Sequence, residues 1–531
     1  MTNNQASNEK SAANRLVDLV MSEFELIHSH QKEAYAVTST GPVRQVFNLD
    51  SKSFYDYVAS RYDHLYKSAL PDIAFKSSLS ALSGRALFDG VQREIFNRVA
   101  MVGDSYWLDL CNPRWEAIQI DSQGWRVRSD SGVPLFERSS SMKEIPIPVS
   151  GGALDPLWDL VNVPANDRLL VLTWLMECLR PDTPHVVLEL VGEQGSAKST
   201  TQRLLKMLID PSAANLRSAP KRVEDIWIGA YNSHIVSFEN ISYLSQDYQD
   251  ALCVLATGGT FATRTLYKNK EESIIQLCRP IVLNGITVNV TAQDLLDRCL
   301  HIELPRVQKR LQVKDIDASF EMLHAELLGA FLDSFANVLR VLPSITIADD
   351  DRPRMLDFAY LGEAVFLCHG LPSGEFLSQY KAMHKKGVYR TIESSAIGQA
   401  ILAFIELQAG HWDGRMKELL PLLERHRLNG EKHWPQSPKA LGDALRRLGP
   451  ALRPLGFDVQ PNDKVGGAII WQIRPIADKL AKPSPASPAS PASPASPVPA
   501  LDNLRDVGHA GHAGLELHDF DDVPTEYEIP F

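Results

Sequence analysis

The segment from Gly192 to Thr200 has the residue types and spacing of a phosphate-binding loop. It reads GEQGSAKST, follows the apolar run HVVLELV and precedes the amphipathic run TQRLLKMLI. In a strand–loop–helix arrangement, the loop N–H groups and the helix N-terminus bind phosphate oxygens. Lys198 would reach the terminal phosphates, and Ser199 would ligate Mg²⁺. The pattern therefore predicts ATP and Mg²⁺ as cofactors, with contacts from Gly192, Gly195, Ala197, Lys198, Ser199 and Thr200.

Ala197 departs from the usual form of this loop, which has a second glycine at that position. Alanine is tolerated there if its φ is helical. The alternative interpretation of the whole segment is a glycine-rich turn with a surface lysine.

Polar residues also end two later apolar runs. Glu239 and Asn240 follow HIVSF, and Asn284 follows PIVL. An acid opposite a phosphate-binding loop can hold Mg²⁺, which we predict for Glu239. Asn240 occupies the position where many motor proteins carry the glutamate that polarises water, so the identity of the base stays open. Asn284 could orient the attacking water, or it could be a turn residue before Gly285.

Arg298 lies just before another predicted strand, in AQDLLDRCLHIEL. In ring-shaped motors, an arginine at this place reaches the terminal phosphate of the neighbouring subunit's nucleotide. The alternative is a surface salt bridge to Asp294 or Asp297. The residues predicted to be catalytic are Lys198, Glu239, Asn240, Asn284 and Arg298.

The elements that must position these residues follow from the periodicity along the chain. Residues 1–15 are expected to be a disordered leader, and residues 16–90 show helical spacing of apolar residues. Short β-rich runs between 93 and 138 predict an antiparallel meander. Together they define a predicted N-terminal α+β domain over 16–150. Residues 151–310 alternate strand and helix patterns, which predicts a parallel α/β core.

The C-terminal part divides into four further segments. Residues 311–392 are predicted to be helical, and residues 393–476 carry three amphipathic helix patterns followed by two strand patterns, as in a winged helix. Its third helix could place Lys439, Arg446 and Arg447 against DNA phosphates, although winged helices also bind proteins. Residues 477–500 form a Pro/Ala/Ser linker, and residues 501–531 form an acidic tail.

The order and spacing of the motifs over roughly 180–310 resemble the superfamily 3 helicases, which are AAA+ replicative helicases of small DNA viruses, phages and mobile elements. The resemblance implies an AAA+ P-loop core that assembles as a hexameric ring on single-stranded or forked DNA. It also implies a hairpin in the ring channel, with a solvated loop as the alternative. The hairpin residues would contact phosphates and stack on a base through Arg264, Tyr267, Lys268 and Lys270.

The flanking regions are similar, less specifically, to primase-helicases of phages and integrative elements. The first 150 residues contain no zinc-ligand pattern, and Asp109 is a lone acid that we interpret as structural. We therefore expect a docking or ring-assembly role for the N-terminal domain.

The end of the tail resembles the acidic tip of bacterial single-stranded-DNA-binding proteins. Those tips have Asp-Phe-Asp-Asp followed by Ile-Pro-Phe; here both pieces occur, separated by VPTEYE. The resemblance implies docking to host replication proteins, and the alternative is a tail that only increases solubility. The residues implied in docking are Phe520, Asp521, Asp522, Ile529, Pro530 and Phe531.

The composition excludes several classes of protein. The chain has 531 residues, and no apolar run approaches the roughly 20 residues of a membrane helix. The polar N-terminus is not a secretory signal, and the six cysteines are scattered singly, so we expect a cytoplasmic protein with free thiols. The net charge is -11, but residues 501–531 hold eight acids against one arginine. The remaining chain therefore has room for basic surfaces.

Two functions remain open from the sequence. The first is an ATP-dependent helicase that acts as a ring in the replication of a phage or mobile element. The second is an AAA+ nucleotide switch that loads or regulates DNA-bound partners without unwinding. The hairpin lysines and Arg298 favour the first, and Asn240 leaves the second open.

Overall fold

A computed structural model describes residues 10–41, 43–264, 272–286, 290, 292–308, 310–393, 395–408, 411–427, 434–465 and 468–476. Residues 1–9 of the predicted leader lie outside these residues, but the expectation of disorder is wrong for 12–15, which begin a helix whose N-cap is Ser11. The linker and the acidic tail lie wholly outside the described residues. Within the described part, no helix has the length and apolar character needed to cross a membrane.

The first region is a small sheet with three helices. Four strands pair in the order β3-β2-β1-β4. The helical prediction for 16–90 is wrong for 24–48, which carry three strands, and is confirmed for the helices at 52–66 and 72–88. Phe24 has extended backbone, and its strand pairs with β2, where its ring packs against Phe47 and Phe54. The elements are α1 (Ala12–Glu23), β1 (Phe24–His28), β2 (Ala34–Thr38), β3 (Val46–Asn48), α2 (Lys52–Tyr66), α3 (Asp72–Phe88) and β4 (Val91–Gln92).

An antiparallel meander follows, as predicted. Its four strands pair in sequence order, and its buried face merges with the core of the next region. Asp109 is buried, pairs with Arg138 and accepts the backbone N–H of Cys111, so it has a structural role. The strands are β5 (Val99–Val102), β6 (Ser105–Asp109), β7 (Ala117–Asp121) and β8 (Gly124–Arg128).

The central region is a five-stranded sheet whose strands run parallel. The order is β10-β11-β14-β9-β15, so the strand before the glycine-rich loop lies between β14 and β15. The elements are α4 (Asp155–Leu160), α5 (Arg168–Glu177), β9 (Val187–Val191), α6 (Lys198–Ile209), β10 (Arg217–Ser218), α7 (Val223–Asn232), β11 (Val236–Ile241), α8 (Gln246–Ala256), β14 (Ile281–Gly285), α9 (Gln293–Leu296) and β15 (Cys299–Glu303).

Alternating strand residues bury two faces of this sheet. Leu188, Leu190 and Val282 pack toward α5, α6 and the later helices, whereas Val187 and Ile281 pack toward α7 and α8. Burial on both faces explains why these strands are continuous apolar runs rather than alternating ones. Between α8 and β14 in the sequence, β12 (Thr260–Arg264) and β13 (Glu272–Gln276) form a separate antiparallel hairpin.

The remaining described residues form two groups. Long helices cover the sheet: α10 (Val313–Val341), α11 (Leu356–Cys368) and α12 (Glu375–Glu393). The last domain has its own apolar core, with three helices beside a three-stranded antiparallel sheet of order β16-β18-β17. Its elements are α13 (Ala396–Leu407), β16 (Trp412–Gly414), α14 (Met416–Glu424), α15 (Pro438–Leu452), β17 (Phe457–Val465) and β18 (Ala468–Pro475).

A buried ionic cluster joins the meander to the central sheet. Arg98 Nε lies 3.1 Å from Asp210 Oδ1, and Lys206 Nζ pairs with the other carboxylate oxygen. Asp210 Oδ2 also accepts the N–H of Ile235, just before β11, at 2.9 Å. Burial acts to raise the pKa of Asp210, but Lys206 and Arg98 overcome it and lower the pKa to about 2. The cluster therefore fixes the end of α6 against two other elements.

Asp210→Asn is expected to destabilise the fold by about 3–5 kcal/mol at pH 7, because it leaves two buried cations without their counter-ion. The folded pKa of about 2 lies below the unfolded value of about 3.9, so the stabilisation is present above about pH 4 and is lost as the pH falls toward 2. Urea unfolding at pH 7 and at pH 3 measures it.

Asp317→Asn is the matched control. Asp317 pairs with Arg203 in a half-exposed position, so its loss is expected to cost less than about 1 kcal/mol. Equal costs for the two variants would contradict the role given to Asp210.

Candidate nucleotide site

The glycine-rich loop connects the buried end of β9 to the first residue of α6. Lys198 opens the helix, and its Nζ donates to the carbonyl oxygens of Gly192 at 2.8 Å and Glu193 at 2.9 Å. The ammonium group is therefore turned onto the loop itself. Partial burial lowers the pKa of this ammonium group, because burial disfavours its charged form.

The two glycines of the loop are required by geometry. A Cβ on Gly192 would lie 2.6 Å from the carbonyl oxygen of Leu304, which is backbone and cannot move aside. Gly195 has a φ of +88°, in the left-handed region that side chains disfavour. These features leave the loop N–H groups near the helix N-terminus, where an anion binds.

Ala197 also adopts the left-handed conformation, with φ 55° and ψ 28°. The condition under which alanine would be tolerated, a helical φ, is therefore not met at this position. Alanine lacks the conformational freedom of glycine, and a left-handed φ costs it roughly 1–2 kcal/mol. The loop stores this strain at the position where the usual pattern has glycine.

A hydrogen-bond network joins α6, β11 and β14 at the carboxyl edge of the sheet. The buried Asn284 accepts the N–H of Asn240 through Oδ1 at 2.9 Å. Its Nδ2 donates to Gln202 Oε1 at 2.5 Å and lies 3.5 Å from Ser199 Oγ. Gln202 Nε2 in turn donates to Ser237 Oγ at 2.8 Å. The structure thus brings Ser199, Asn240 and Asn284 together.

Glu239 and Asn240 lie at a β-bulge. The pairing of β11 with β14 shifts register between Phe238 and Ile241, and Asn240 has a φ of 54°. Bulges of this kind redirect side chains, and asparagine tolerates the left-handed region better than most residues. The Asn240 side chain is exposed, and Glu239 is half-buried. The bulge explains how the side chains of two consecutive residues near a strand end can both be accessible to solvent.

A cavity of about 330 Å³ adjoins the loop. It is bordered by Gly195, Ala197 and Thr200 and closed by side chains from α4, the turn after it and the start of α10. Most of its lining is apolar, which suits a flat nucleobase, and the Arg310 guanidinium lies beside Gly195. The lining beyond the loop includes Trp158, Val161, Arg310, Leu311, Val313 and Ile316.

Arg298 is held within its own chain. Its guanidinium pairs with Asp294 and contacts Cys253, and Arg354 pairs with the same aspartate. This is the salt bridge that we weighed as the alternative for Arg298. A contact with a neighbouring subunit would require Arg298 to exchange Asp294 for a phosphate.

Two family profiles match the chain. Residues 154–385 match the actinomycete integrative conjugative element replication protein, AICE RepA, and residues 397–488 match the AICE RepA C-terminal domain. Together they span more than half of the chain. The chain belongs to the AICE RepA family. It is therefore a replication protein of a mobile element.

Solved structures align with this replication protein only loosely. The A form apo structure of the NrS-1 C-terminal region has 14% identity and a TM-score of 0.38, covering 88% of this chain and 100% of that one. The structure titled SCCmec type IV Cch, active helicase, has 11% identity and a TM-score of 0.41, with coverages of 86% and 93%. At these scores neither alignment supports an assignment. No curated protein matches the chain.

The predicted DNA contacts are placed only in part. Tyr267, Lys268 and Lys270 lie outside the described residues, and Arg264 ends β12. In the C-terminal domain, Lys439 and Arg446 border a cavity of about 530 Å³ with Arg415, Lys417 and the partly apolar floor of Trp471 and Ile469. Arg447 is exposed on the same helix, α15.

Two further residues of the candidate site, Gln202 and Asn162, were not predicted from the sequence. Gln202 is a polar residue on the buried face of α6, among Leu204, Leu205 and Leu208, and that interruption was a usable signal. Asn162 donates through Nδ2 to the carbonyl of Ser196 at 3.0 Å and so supports the loop from outside. It lies far from the motif in sequence, and nothing in its neighbourhood marks it.

Ala197→Gly is expected to stabilise the nucleotide-free protein by about 0.5–1 kcal/mol. Relief of the left-handed strain exceeds the added entropy of glycine in the unfolded chain. Thermal unfolding measures it, and affinity for a non-hydrolysable ATP analogue should not fall.

Ala440→Gly serves as the control for the same substitution. Ala440 is exposed within α15, where glycine is expected to cost about 1 kcal/mol. A destabilised Ala197→Gly variant would show that the left-handed conformation of this residue is not the source of strain.

Proposed function

We propose that this replication protein is an ATP-dependent DNA helicase of the superfamily 3 type that works as a ring. The observation that carries the proposal is the carboxyl edge of the parallel sheet. There helix α6, which Lys198 opens, the Glu239–Asn240 bulge and the buried Asn284 are joined by direct hydrogen bonds, and a largely apolar cavity adjoins the loop before α6. Ligands of open α/β sheets bind at this edge.

The residues fit ATP and Mg²⁺. The loop conformation requires Gly192, where a Cβ would meet the Leu304 carbonyl oxygen, and Gly195, which has a left-handed φ, and the apolar cavity adjoins the loop. Bound Mg²⁺ would neutralise phosphate charge, with Ser199 and Glu239 as its protein ligands. Lys198 would leave the loop carbonyls to pair with phosphate oxygens. Asn284, already fixed by Gln202 and the Asn240 N–H, would orient the attacking water.

Asn240 is the specific observation in favour of the alternative function, a nucleotide switch. Its amide cannot take a proton from water, so hydrolysis would depend on water orientation rather than on a carboxylate base. Slow hydrolysis suits a switch that loads or regulates DNA-bound partners. The two functions differ in whether hydrolysis separates DNA strands.

The finer partner assignments belong to the same proposal. The protein would encircle single-stranded or forked DNA, with the hairpin at 264–270 and α15 of a winged-helix domain as contacts. The acidic tail would dock host replication proteins. Arg298 would complete the active site of the neighbouring subunit after releasing Asp294.

Lys198→Ala and Arg298→Ala are each expected to lose nearly all ATP hydrolysis and unwinding of forked DNA. Lys198 is needed in the subunit that binds nucleotide, and Arg298 is needed in its neighbour. Mixed rings contain interfaces with an intact half from each variant, so mixtures should regain part of the ATPase rate. Steady-state hydrolysis and a strand-displacement assay measure both activities.

Ring assembly, followed by electron microscopy with an ATP analogue, is the control for this experiment. If rings assemble but mixtures stay inactive, Arg298 does not act in trans. If the wild-type protein hydrolyses ATP on forked DNA without separating the strands, the switch is the better description.

Deletion of Phe531 is expected to abolish binding to a host replication protein that accepts the tip of the single-stranded-DNA-binding protein. One terminal aromatic ring with a free carboxylate would carry most of the binding energy, and the acids upstream would speed encounter at low salt. Fluorescence anisotropy with a peptide of residues 515–531 and a purified primase or polymerase accessory subunit measures it.

Exchange of Asp521 and Asp522 for asparagine is the companion change, which should weaken binding mainly at low salt. ATPase activity should be unchanged in both tail variants. If the peptide does not compete with the tip of the single-stranded-DNA-binding protein for the host protein, the docking role is wrong and the tail only increases solubility.

A further inference from the structure

Helix α7 contacts the base of the hairpin through a pair of stacked rings. The indole of Trp227 is buried, and it stacks on the ring of Phe261 in β12, with centroids 5.1 Å apart and an interplanar angle of 12°. Both residues belong to the apolar cluster on the α7–α8 face of the sheet. Stacked aromatic pairs restrict relative rotation as well as burying area. The first strand of the hairpin is therefore seated on α7.

The C-terminal end of the same helix is fixed by residues of the meander region. Asn97 Nδ2 donates to the carbonyl oxygen of Tyr231 at 3.3 Å. Ser139 Oγ and Ser141 Oγ donate to the carbonyl oxygen of Asn232 at 3.1 and 3.2 Å. The last carbonyls of a helix have no partner within the helix, so these three donors satisfy and hold its end.

A cluster of acids and phenols ties this end to the N-terminal sheet. Tyr231 Oη donates to Glu33 at 3.3 Å, and Tyr35 Oη lies 2.9 Å from both Glu33 and Glu137. Tyr35 has one phenol proton for two carboxyl groups, so both contacts form when Glu137 carries a proton. Burial raises the pKa of Glu137, which favours that form. The cluster joins the β1–β2 hairpin, the end of the meander region and α7.

A second contact joins the β1–β2 turn directly to the β12–β13 hairpin. Gln31, in the turn between β1 and β2, donates through Nε2 to the carbonyl oxygen of Gln276 at 3.3 Å. Gln276 ends β13 and pairs with Thr260 at the start of β12. The turn that contains Gln31 leads directly to Glu33 in the cluster. The β1–β2 turn of the N-terminal sheet thus contacts both the base of the β12–β13 hairpin, through Gln31, and helix α7, through Glu33.

We propose that the N-terminal domain positions the DNA hairpin, with α7 as the connecting lever and with Phe261, Tyr231 and Gln31 as the positioning residues. The proposal rests on the proposed function, because it gives the hairpin its role on DNA. Helix α7 leads directly into β11, which ends at the bulge of Glu239 and Asn240. A displacement of the hairpin by DNA would therefore be transmitted through the Phe261–Trp227 stack toward the nucleotide edge, and the N-terminal domain would supply the fixed support.

Two sets of variants test the lever in the full-length protein. Phe261→Leu keeps an apolar side chain but removes the stacked ring, and Phe261→Tyr retains the ring as the conservative rescue. Tyr231→Phe combined with Gln31→Ala removes the two side-chain contacts made with the β1–β2 turn and leaves the ring of Tyr231 in place. None of these side chains contacts the nucleotide loop.

The measurement is ATP hydrolysis as a function of single-stranded DNA concentration. Phe261→Leu and the Tyr231/Gln31 double variant are expected to keep the basal rate and to lower the maximal DNA stimulation by about two- to thirty-fold, the range typical of coupling residues. The DNA concentration for half-maximal stimulation should change less than the maximum, because DNA-contacting side chains remain. Phe261→Tyr should restore the wild-type maximum.

Phe75→Leu is the matched control, since Phe75 also forms a ring pair, with Tyr55 at 4.8 Å, but within the N-terminal domain. It should leave DNA stimulation unchanged, and melting temperatures establish that all variants are folded. A Lys268→Ala/Lys270→Ala variant separates the two proposals. If it loses stimulation while the lever variants retain it, the lever is wrong and the hairpin role stands. If it retains stimulation as well, the hairpin role fails and the lever fails with it.

Discussion

The side-chain amide of Asn284 is the interaction on which the nucleotide edge depends. It is wholly buried at the end of β14, and it bonds at once to the backbone of β11 and to Gln202 of α6. An amide can do this because it offers both an acceptor and two donors. The helix that carries Lys198 and the two strands that carry Glu239 and Asn284 are consequently fixed relative to one another. A carboxylate there could accept the Asn240 N–H but could not donate toward Ser199.

Strain is concentrated beside this amide. Ala197 and Asn240 are non-glycine residues with left-handed φ, and Ala197 also borders the cavity beside the loop. Such conformations persist only where neighbouring structure imposes them. For Asn240 the cause is visible, since its N–H must reach Asn284 across the bulge. For Ala197 the cause is the turn that brings the loop onto the first residue of α6.

The central sheet was predictable from the sequence because its strands are buried on both faces. Runs such as HVVLELV cannot be amphipathic helices, and the helices between them show clear periodicity. The segment FELIH was mistaken for helix because local spacing cannot reveal a distant strand partner. Its conformation depends on pairing with 34–38 and on the rings of Phe47 and Phe54. The candidate site residues within motifs were predicted from their spacing, whereas Asn162 and Gln31 make contacts with segments that are distant in sequence.

The difference between residues in motifs and residues that join distant segments also shows where the N-terminal domain and the central region can be coupled. Residues that contact a nucleotide through one loop need a fixed spacing, so they form a recognisable sequence motif. Residues that join domains need only meet in space, and here they use backbone carbonyls as acceptors, at Tyr231, Asn232 and Gln276. A carbonyl acceptor places no demand on the side chain that carries it. The contacts made to these carbonyls are therefore specified by their donors alone, whereas the contact of Tyr231 with Glu33 requires both side chains.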